Sequence, residues 1–148
     1  MAGAPGQAPG FALPDNRGAM VFRSSFRGNL LISFFASYCR PCARELPMLI
    51  ELEKKYKKRK NISLVLIAVD ANDSGGTAKE KAGRFLRNAG IDHDYLIDMY
   101  QVVIAKYNPK KELPAAFLVD AAGHIVFSAV GAGEDTVLRL EKAIQSLK

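Results

Sequence analysis

Long apolar runs in this chain alternate with segments whose apolar residues recur at helical spacing. Two runs, Leu30–Phe35 and Ser63–Val69, are almost continuously apolar, as is typical of parallel strands that are covered on both faces. Between them, the segment 41–59 repeats apolar residues every three or four positions, which predicts a helix with one buried face. That face comprises Leu46, Leu49, Leu52 and Tyr56. Pro47 falls inside this helix and is expected to kink it.

Shorter signals predict the remaining elements. Phe11–Pro14 and Ala19–Phe22 flank the turn-like Asp15–Gly18, which predicts an N-terminal hairpin. Beyond residue 77 the sequence predicts, in order, a helix over 78–88 that ends at Gly90, a short strand over 95–97, a short helix over 102–107, a strand pair over 116–120 and 125–130, and a last helix from about residue 135. This order predicts a mixed sheet with helices on both faces.

The length of the chain predicts one domain. With 148 residues it can bury a proper core. Residues 1–10 are rich in proline and glycine and are expected to be flexible, so the domain is placed at 11–148. The first residues lack the basic and apolar regions of a secretory signal, and no apolar stretch approaches the length that crosses a bilayer.

A basic run accounts for much of the net charge of +6. It lies at the end of the predicted long helix, where cations complement the helix dipole, and a solvated helix end is the favoured interpretation. The run consists of Lys54, Lys55, Lys57, Lys58, Arg59 and Lys60. Nucleic-acid binding is not expected, because no helix-turn-helix signal or interleaved aromatic set accompanies the charge. Attraction to an acidic partner or a membrane surface remains an alternative.

The candidate chemistry is concentrated in Cys39-Arg40-Pro41-Cys42, which holds the only two cysteines of the chain. The motif lies where the first apolar run gives way to the long helix. Positions i and i+3 share a helix face, so the two sulfurs can meet. Unpaired N–H groups and the positive end of the dipole favour a thiolate at Cys39, and Arg40 adds a cation. Pro41 suits the first helical turn.

This asymmetry predicts roles for the two cysteines. Cys39 attacks a substrate disulfide, and the more buried Cys42 resolves the mixed disulfide. A static disulfide is the first alternative, although so small a loop adds little stability. Half of a zinc site is the second. Structural zinc needs four ligands, and only His93 and His124 remain, both expected to be solvated loop residues. No metal or other cofactor is therefore expected.

Several segments resemble the TlpA/ResA-like group of thiol:disulfide oxidoreductases. They follow the order of that group along nearly the whole chain and are Phe11–Asp15, Phe26–Asn29, Phe34–Cys42, Arg44–Pro47 and Leu113–Asp120. The resemblance implies an α/β thioredoxin-like fold, with a central mixed β-sheet flanked by helices and an extra N-terminal β-hairpin. It also implies a cis peptide bond between Leu113 and Pro114, facing the dithiol where a substrate strand can pair.

The chain departs from the family pattern at several positions. Tyr38 replaces the usual tryptophan before the first cysteine, and Ser33 stands where thioredoxins carry a buried aspartate. The usual threonine-rich stretch after the proline is Ala115-Ala116. ResA-like proteins place an acid just after the second long strand, and Asp73 falls near that position. The residues expected to support the site are Tyr38, Arg40, Pro41, Leu113, Pro114 and Asp73.

The resemblance implies a protein disulfide reductase that works outside the cytoplasm. The expected partners are disulfides or dithiols of other proteins, such as apocytochrome c in the periplasm, and an upstream electron-donor protein. The chain itself is expected to be a monomer. Arg40-Pro41 does not fix the direction of electron flow, because the potential depends on how strongly the thiolate is stabilised.

Two other functions stay open. One is a general thioredoxin-like reductase without a dedicated substrate. The other is a thiol module that binds copper or serves the haem pathway, which requires a histidine or methionine to converge on Cys39. A peroxiredoxin is disfavoured, because the proline and threonine context of its reactive cysteine is absent.

Overall fold

The computed structural model describes residues 6–131, 133 and 135–148, which form two sheets, four α-helices and a short 3-10 helix over Arg23–Ser25. The strands are β1 (Ala12–Pro14), β2 (Met20–Phe22), β3 (Asn29–Phe35), β4 (Ile62–Ala68), β5 (Tyr95–Ile97), β6 (Ala115–Val119) and β7 (Ile125–Val130). The helices are α1 (Arg40–Tyr56), α2 (Ala78–Asn88), α3 (Val102–Tyr107) and α4 (Thr136–Gln145). This order confirms the predicted elements.

The main sheet is mixed and has the order β5-β4-β3-β6-β7. Strands β3, β4 and β5 are parallel, whereas β6 is antiparallel to both β3 and β7. The carboxyl ends of β3, β4 and β5 therefore meet at one edge of the sheet, together with the start of β6. This arrangement confirms the mixed sheet flanked by helices.

The central strand β3 supplies side chains to two separate cores. All seven of its residues are buried, and successive side chains point to opposite faces of the sheet. Leu31 and Phe35 pack in the core that contains the apolar face of α1. Ile32 and Phe34 pack on the other side, with α3 and the N-terminal hairpin. The absence of alternation in the sequence of β3 follows from this double burial.

The predicted N-terminal hairpin is confirmed as the antiparallel pair β1–β2. It is held against the edge strand β5 by a bridge between Asp15 and Leu96. Residues 1–5 of the segment expected to be flexible lie outside the described residues. Within the described part of that segment, Gln7 bridges His124, and the N–H of Ala8 donates to the Gly123 carbonyl at 2.8 Å.

Helix α1 ends at Tyr56, three residues before the predicted end. The next residues form a turn, and Asn61, with φ of 49°, reverses the chain into β4. Asparagine tolerates this left-handed conformation better than most residues. Pro47 lies inside α1, which is continuous around it.

His93 corrects one expectation, because it is not a solvated loop residue. Its side chain is only 21% exposed, and its Nε2 lies 3.1 Å from a carboxylate oxygen of Glu53 on α1. The hydrogen bond with Glu53 is the main cause that raises the pKa of His93. Glu53 also accepts the N–H of Leu64 at 2.7 Å, on the part of β4 that β5 does not cover. His124 lies in the β6–β7 turn and is exposed, as expected.

Gly28 is a packing constraint at the start of β3. A Cβ atom added there would lie less than 3.0 Å from the backbone carbonyl oxygen of Asn61, which also accepts the N–H of Asn29. We expect Gly28→Ala to lower the free energy of unfolding by about 1–3 kcal/mol, because the strand start must shift. Urea denaturation measures this loss.

Gly10→Ala is the matched control, because nothing lies within 4 Å of a Cβ at Gly10. Equal stability of the Gly28→Ala and Gly10→Ala variants would contradict this account of the close approach.

Candidate redox-active site

The two cysteines lie at the carboxyl end of β3 and are joined in a disulfide, with their Cα atoms 5.4 Å apart. Cys39 is the residue that caps the N-terminus of α1, and Cys42 lies in its first turn. The side chain of Cys42 is completely buried, whereas Cys39 retains 7% exposure. Cys39 is therefore the more accessible of the two sulfurs.

The N-terminus of α1 gives the site its electrostatic character. No acidic residue lies in the first turn, and the side chain of Cys39 does not cap the backbone N–H groups. Arg40 begins the helix with an exposed side chain, and Pro41 follows it within the first turn. Once the disulfide is opened, the helix end and the Arg40 charge both favour a thiolate at Cys39.

Pro114 lies at the same edge of the sheet as the dithiol, because β6 neighbours β3. The register pairs Phe34 with Ala115, which places Pro114 next to the end of β3. The Leu113–Pro114 peptide bond is cis, as the resemblance implies. Pro114 is buried, and its carbonyl oxygen accepts the N–H of Gly131 at 2.8 Å.

Tyr38 presents an aromatic ring directly before the dithiol. It is 68% exposed, so its ring is available to a partner molecule. Partial burial is the main cause that raises the pKa of Tyr38; the charge of Asp70 acts in the same direction, and that of Lys81 opposes it. Asp70, which follows β4, and Lys81, on α2, therefore both influence the pKa of the residue before Cys39.

Asp73 is bound to Lys81 and to the backbone of its own turn. It lies in an exposed turn, and its carboxylate accepts from Lys81 at 2.7 Å and from the N–H of Gly75 at 2.8 Å. The hydrogen bond from Lys81 is the main cause that lowers the pKa of Asp73. An active-site role for Asp73 stays a prediction.

Asp70 is an acid at this edge that the sequence interpretation did not single out. It follows β4 almost immediately, is 1% exposed, and accepts the N–H of Ser37 at 3.0 Å. The sequence signal for Asp70 is its position directly after a long apolar run. That run forms a strand parallel to β3, so Asp70 lies at the same edge of the sheet as the dithiol.

Glu45 is a second acid that the sequence interpretation passed over. It lies three positions after Cys42, on the same face of α1, and is 7% exposed. Within the described ranges no hydrogen bond or ion pair reaches its carboxyl group. Burial therefore raises the pKa of Glu45. The sequence signal for Glu45 is its i, i+3 spacing from Cys42, which places both residues on one face of the helix.

Ser33 occupies the sheet beneath the dithiol. Its position on β3 points it to the same face as Leu31 and Phe35, toward α1. It is buried, and its hydroxyl has no hydrogen-bond partner among the described residues. The hydroxyl cannot replace a carboxylate as a strong proton acceptor.

The described residues hold neither a cluster of metal ligands nor a membrane-spanning helix. No group of three or more His, Cys, Asp or Glu side chains is placed to hold a metal ion there. No helix in this part of the chain is long and apolar enough to cross a membrane.

Comparison with known proteins agrees with the geometry of the site. The sequence profile described as the AhpC/TSA family matches residues 5–128. The thiol-disulfide oxidoreductase ResA of Geobacillus kaustophilus is 30% identical over 142 residues, which are 95% of this chain and 76% of that protein.

Two solved structures share the fold. One, assigned as the thiol:disulfide interchange protein DsbE of Chlorobium tepidum, superposes with a TM-score of 0.80 at 27% identity, covering 95% of this chain and 94% of that one. A thiol-disulfide oxidoreductase of Bacteroides fragilis superposes with a TM-score of 0.72 at 28% identity, covering 92% and 98%. The sheet and the C-x-x-C disulfide at a helix N-terminus agree with these relatives. The chain belongs to the AhpC/TSA family, as a ResA-like thiol-disulfide oxidoreductase.

Proposed function

We propose that the reduced Cys39–Cys42 pair delivers electrons to disulfides of other proteins outside the cytoplasm, with apocytochrome c as the expected kind of substrate. The observation that carries the proposal is the unequal exposure of the two sulfurs at the N-terminus of α1. Likeness to proteins named thiol-disulfide oxidoreductase ResA and thiol:disulfide interchange protein DsbE supports disulfide exchange. The direction and the compartment follow from the resemblance to the TlpA/ResA-like group.

The reaction has two exchange steps. The Cys39 thiolate attacks one sulfur of the substrate disulfide; that S–S bond breaks, and the other substrate sulfur leaves as a thiolate that takes up a proton. The Cys42 thiolate then attacks the Cys39 sulfur and releases the second substrate thiol. Two electrons have passed to the substrate, and Cys39 and Cys42 are again a disulfide. An upstream dithiol protein must return two electrons.

The surroundings of each cysteine suit its step. The helix N-terminus lowers the free energy of the Cys39 thiolate, which is the attacking group. Cys42 is completely buried and must lose a proton before it attacks. Glu45, one turn further along α1 and also buried, is the carboxyl group that we assign to receive that proton.

An apolar cavity at the same edge of the sheet supports a protein substrate. Its volume is about 380 Å³, and it lies between β1, the start of α2 and the loop after β5. Tyr100 at its rim is 80% exposed, and Val102 is 55% exposed. Such a surface suits the apolar side chains of a polypeptide better than a small polar disulfide such as oxidised glutathione.

The reduction potential of the Cys39–Cys42 couple tests the direction of electron flow. We expect a value near or below about −250 mV, in the range of thioredoxin, because an electron donor must have a lower reduction potential than the disulfide that it reduces. Equilibration with dithiothreitol or glutathione buffers, followed by thiol alkylation, measures it. A value of about −120 to −180 mV would instead identify an oxidant or isomerase.

Single serine variants test the roles of the cysteines. Cys39→Ser should abolish exchange, since no attacking thiolate remains. Cys42→Ser should accumulate mixed disulfides with substrate proteins, since the first step proceeds and the second cannot. Non-reducing electrophoresis of each variant after incubation with a native extract shows the trapped species. Trapping by Cys39→Ser, or none by Cys42→Ser, would contradict the assignment.

The burial of Glu45 predicts that the free energy of unfolding depends on pH. Because burial raises its pKa above the ordinary value of 4.5, the stability of the wild type falls as pH rises through the pKa of the folded state. Glu45→Gln removes this loss. We expect the variant to match the wild type near pH 4 and to exceed it by about 1 kcal/mol near pH 8, the low end of the cost of an unpaired buried polar group.

Urea denaturation across this pH range measures the difference. Glu51→Gln is the control, since Glu51 lies on the same helix with its side chain 74% exposed. A pH-independent difference between Glu45→Gln and the wild type would show that the carboxyl group is not destabilised by burial.

A further inference from the structure

Asp70 anchors the segment that leads into the dithiol. Its carboxylate accepts the backbone N–H of Ser37 at 3.0 Å through Oδ1 and at 3.3 Å through Oδ2, and the Ser37 hydroxyl donates to Oδ2. The carboxylate is 1% exposed. Bonds to ionised acceptors are stronger than neutral ones, so Ser37 is firmly held.

Ser37 belongs to a turn that ends at Cys39. The N–H of Cys39 donates to the carbonyl oxygen of Ala36 at 3.1 Å, which closes a turn with Ser37 and Tyr38 at its centre. One side of this turn is fixed to β4. Asp70, which binds Ser37, follows that strand, and the N–H of Val69 donates to the carbonyl oxygen of Phe35 at 2.9 Å. The place of Cys39 at the helix N-terminus therefore depends on Asp70.

Among the described residues, no cation is bound to the carboxylate of Asp70. In residues 6–131, 133 and 135–148, Asp70 makes hydrogen bonds only with Ser37 and no ion pair. Lys81, whose charge also acts on Tyr38, is bound to Asp73 at 2.7 Å. Asp70 is hydrogen-bonded to Ser37, two residues before Cys39, and its charge also contributes to the raised pKa of Tyr38, the residue between them.

We propose that Asp70 is a positioning residue for the dithiol: it fixes the turn before Cys39, and its charge disfavours the Cys39 thiolate. This inference rests on the proposed disulfide exchange and adds a residue to it. A less stable thiolate makes the dithiol form less stable relative to the disulfide. The reduced protein is then a stronger reductant, which opposes the stabilising effect of the helix N-terminus.

Two substitutions separate the charge from the hydrogen bonds. In Asp70→Asn the amide can still accept from the Ser37 N–H, but the charge is gone. We expect the pKa of the Cys39 thiol to fall. The equilibrium with dithiothreitol should shift about threefold toward the reduced Cys39–Cys42 pair. This shift raises the reduction potential of the pair by about 14 mV, at 29.6 mV per tenfold change.

In Asp70→Ala the hydrogen bonds are lost as well. We expect the rate of exchange with a protein disulfide to fall about tenfold below that of Asp70→Asn, because the turn is released. Ser37→Ala keeps the backbone N–H but loses the hydroxyl, so its exchange rate should lie between those of Asp70→Asn and Asp70→Ala. This variant tests the turn even if Asp70→Ala does not fold.

Asp98 is the matched control. It follows β5 at the same edge, is 2% exposed, and accepts the N–H groups of Val103 and Ile104 at the start of α3. Asp98→Asn should lower the free energy of unfolding without moving the thiol pKa or the potential. Alkylation rate against pH gives the thiol pKa of each variant.

The possible results are distinct. A shift in Asp70→Asn that Asp98→Asn does not share supports the proposal. An unchanged thiol pKa and potential in Asp70→Asn, or an equal shift in Asp98→Asn, overturns it while leaving the exchange reaction intact. A wild-type protein without a reversible dithiol couple would overturn the proposed function itself.

Discussion

The burial of β3 on both faces is the constraint on which the rest of the structure depends. Its side chains fill two cores at once, so the strand cannot slide or tilt without opening both. The dithiol is attached to the end of this strand and to the start of α1, whose apolar face packs on the same sheet. Two flexible side chains thereby acquire a fixed position at a helix N-terminus, where a thiolate is favoured.

Local sequence was sufficient for the features that depend on local physics. The unbroken apolar run of β3, the helical spacing in α1 and the C-x-x-C motif between them predict a buried strand, a helix and a dithiol at its start. The family resemblance added the cis bond before Pro114, which spacing alone does not predict.

The features that escaped prediction depend on residues far apart in the chain. Asp70 meets Ser37 only because β3 and β4 are parallel neighbours, and 33 positions separate the two residues. His93 is half-buried because α1 brings Glu53 beside its loop, across 40 positions. The apolar stripe of α1 was evident, but the polar Glu45 beside it was not recognised as part of the buried face.

The attachment of the first described residues gives the molecule an orientation. Gly6 and Ala8 bond to the β6–β7 turn, and β6 runs antiparallel to β3, so this turn lies at the end of the sheet opposite the dithiol. A tether joined before Gly6 would therefore hold the protein by its far end. On a solid support or at any other surface, such a molecule would stand with Cys39 facing outward, open to partners arriving from solution.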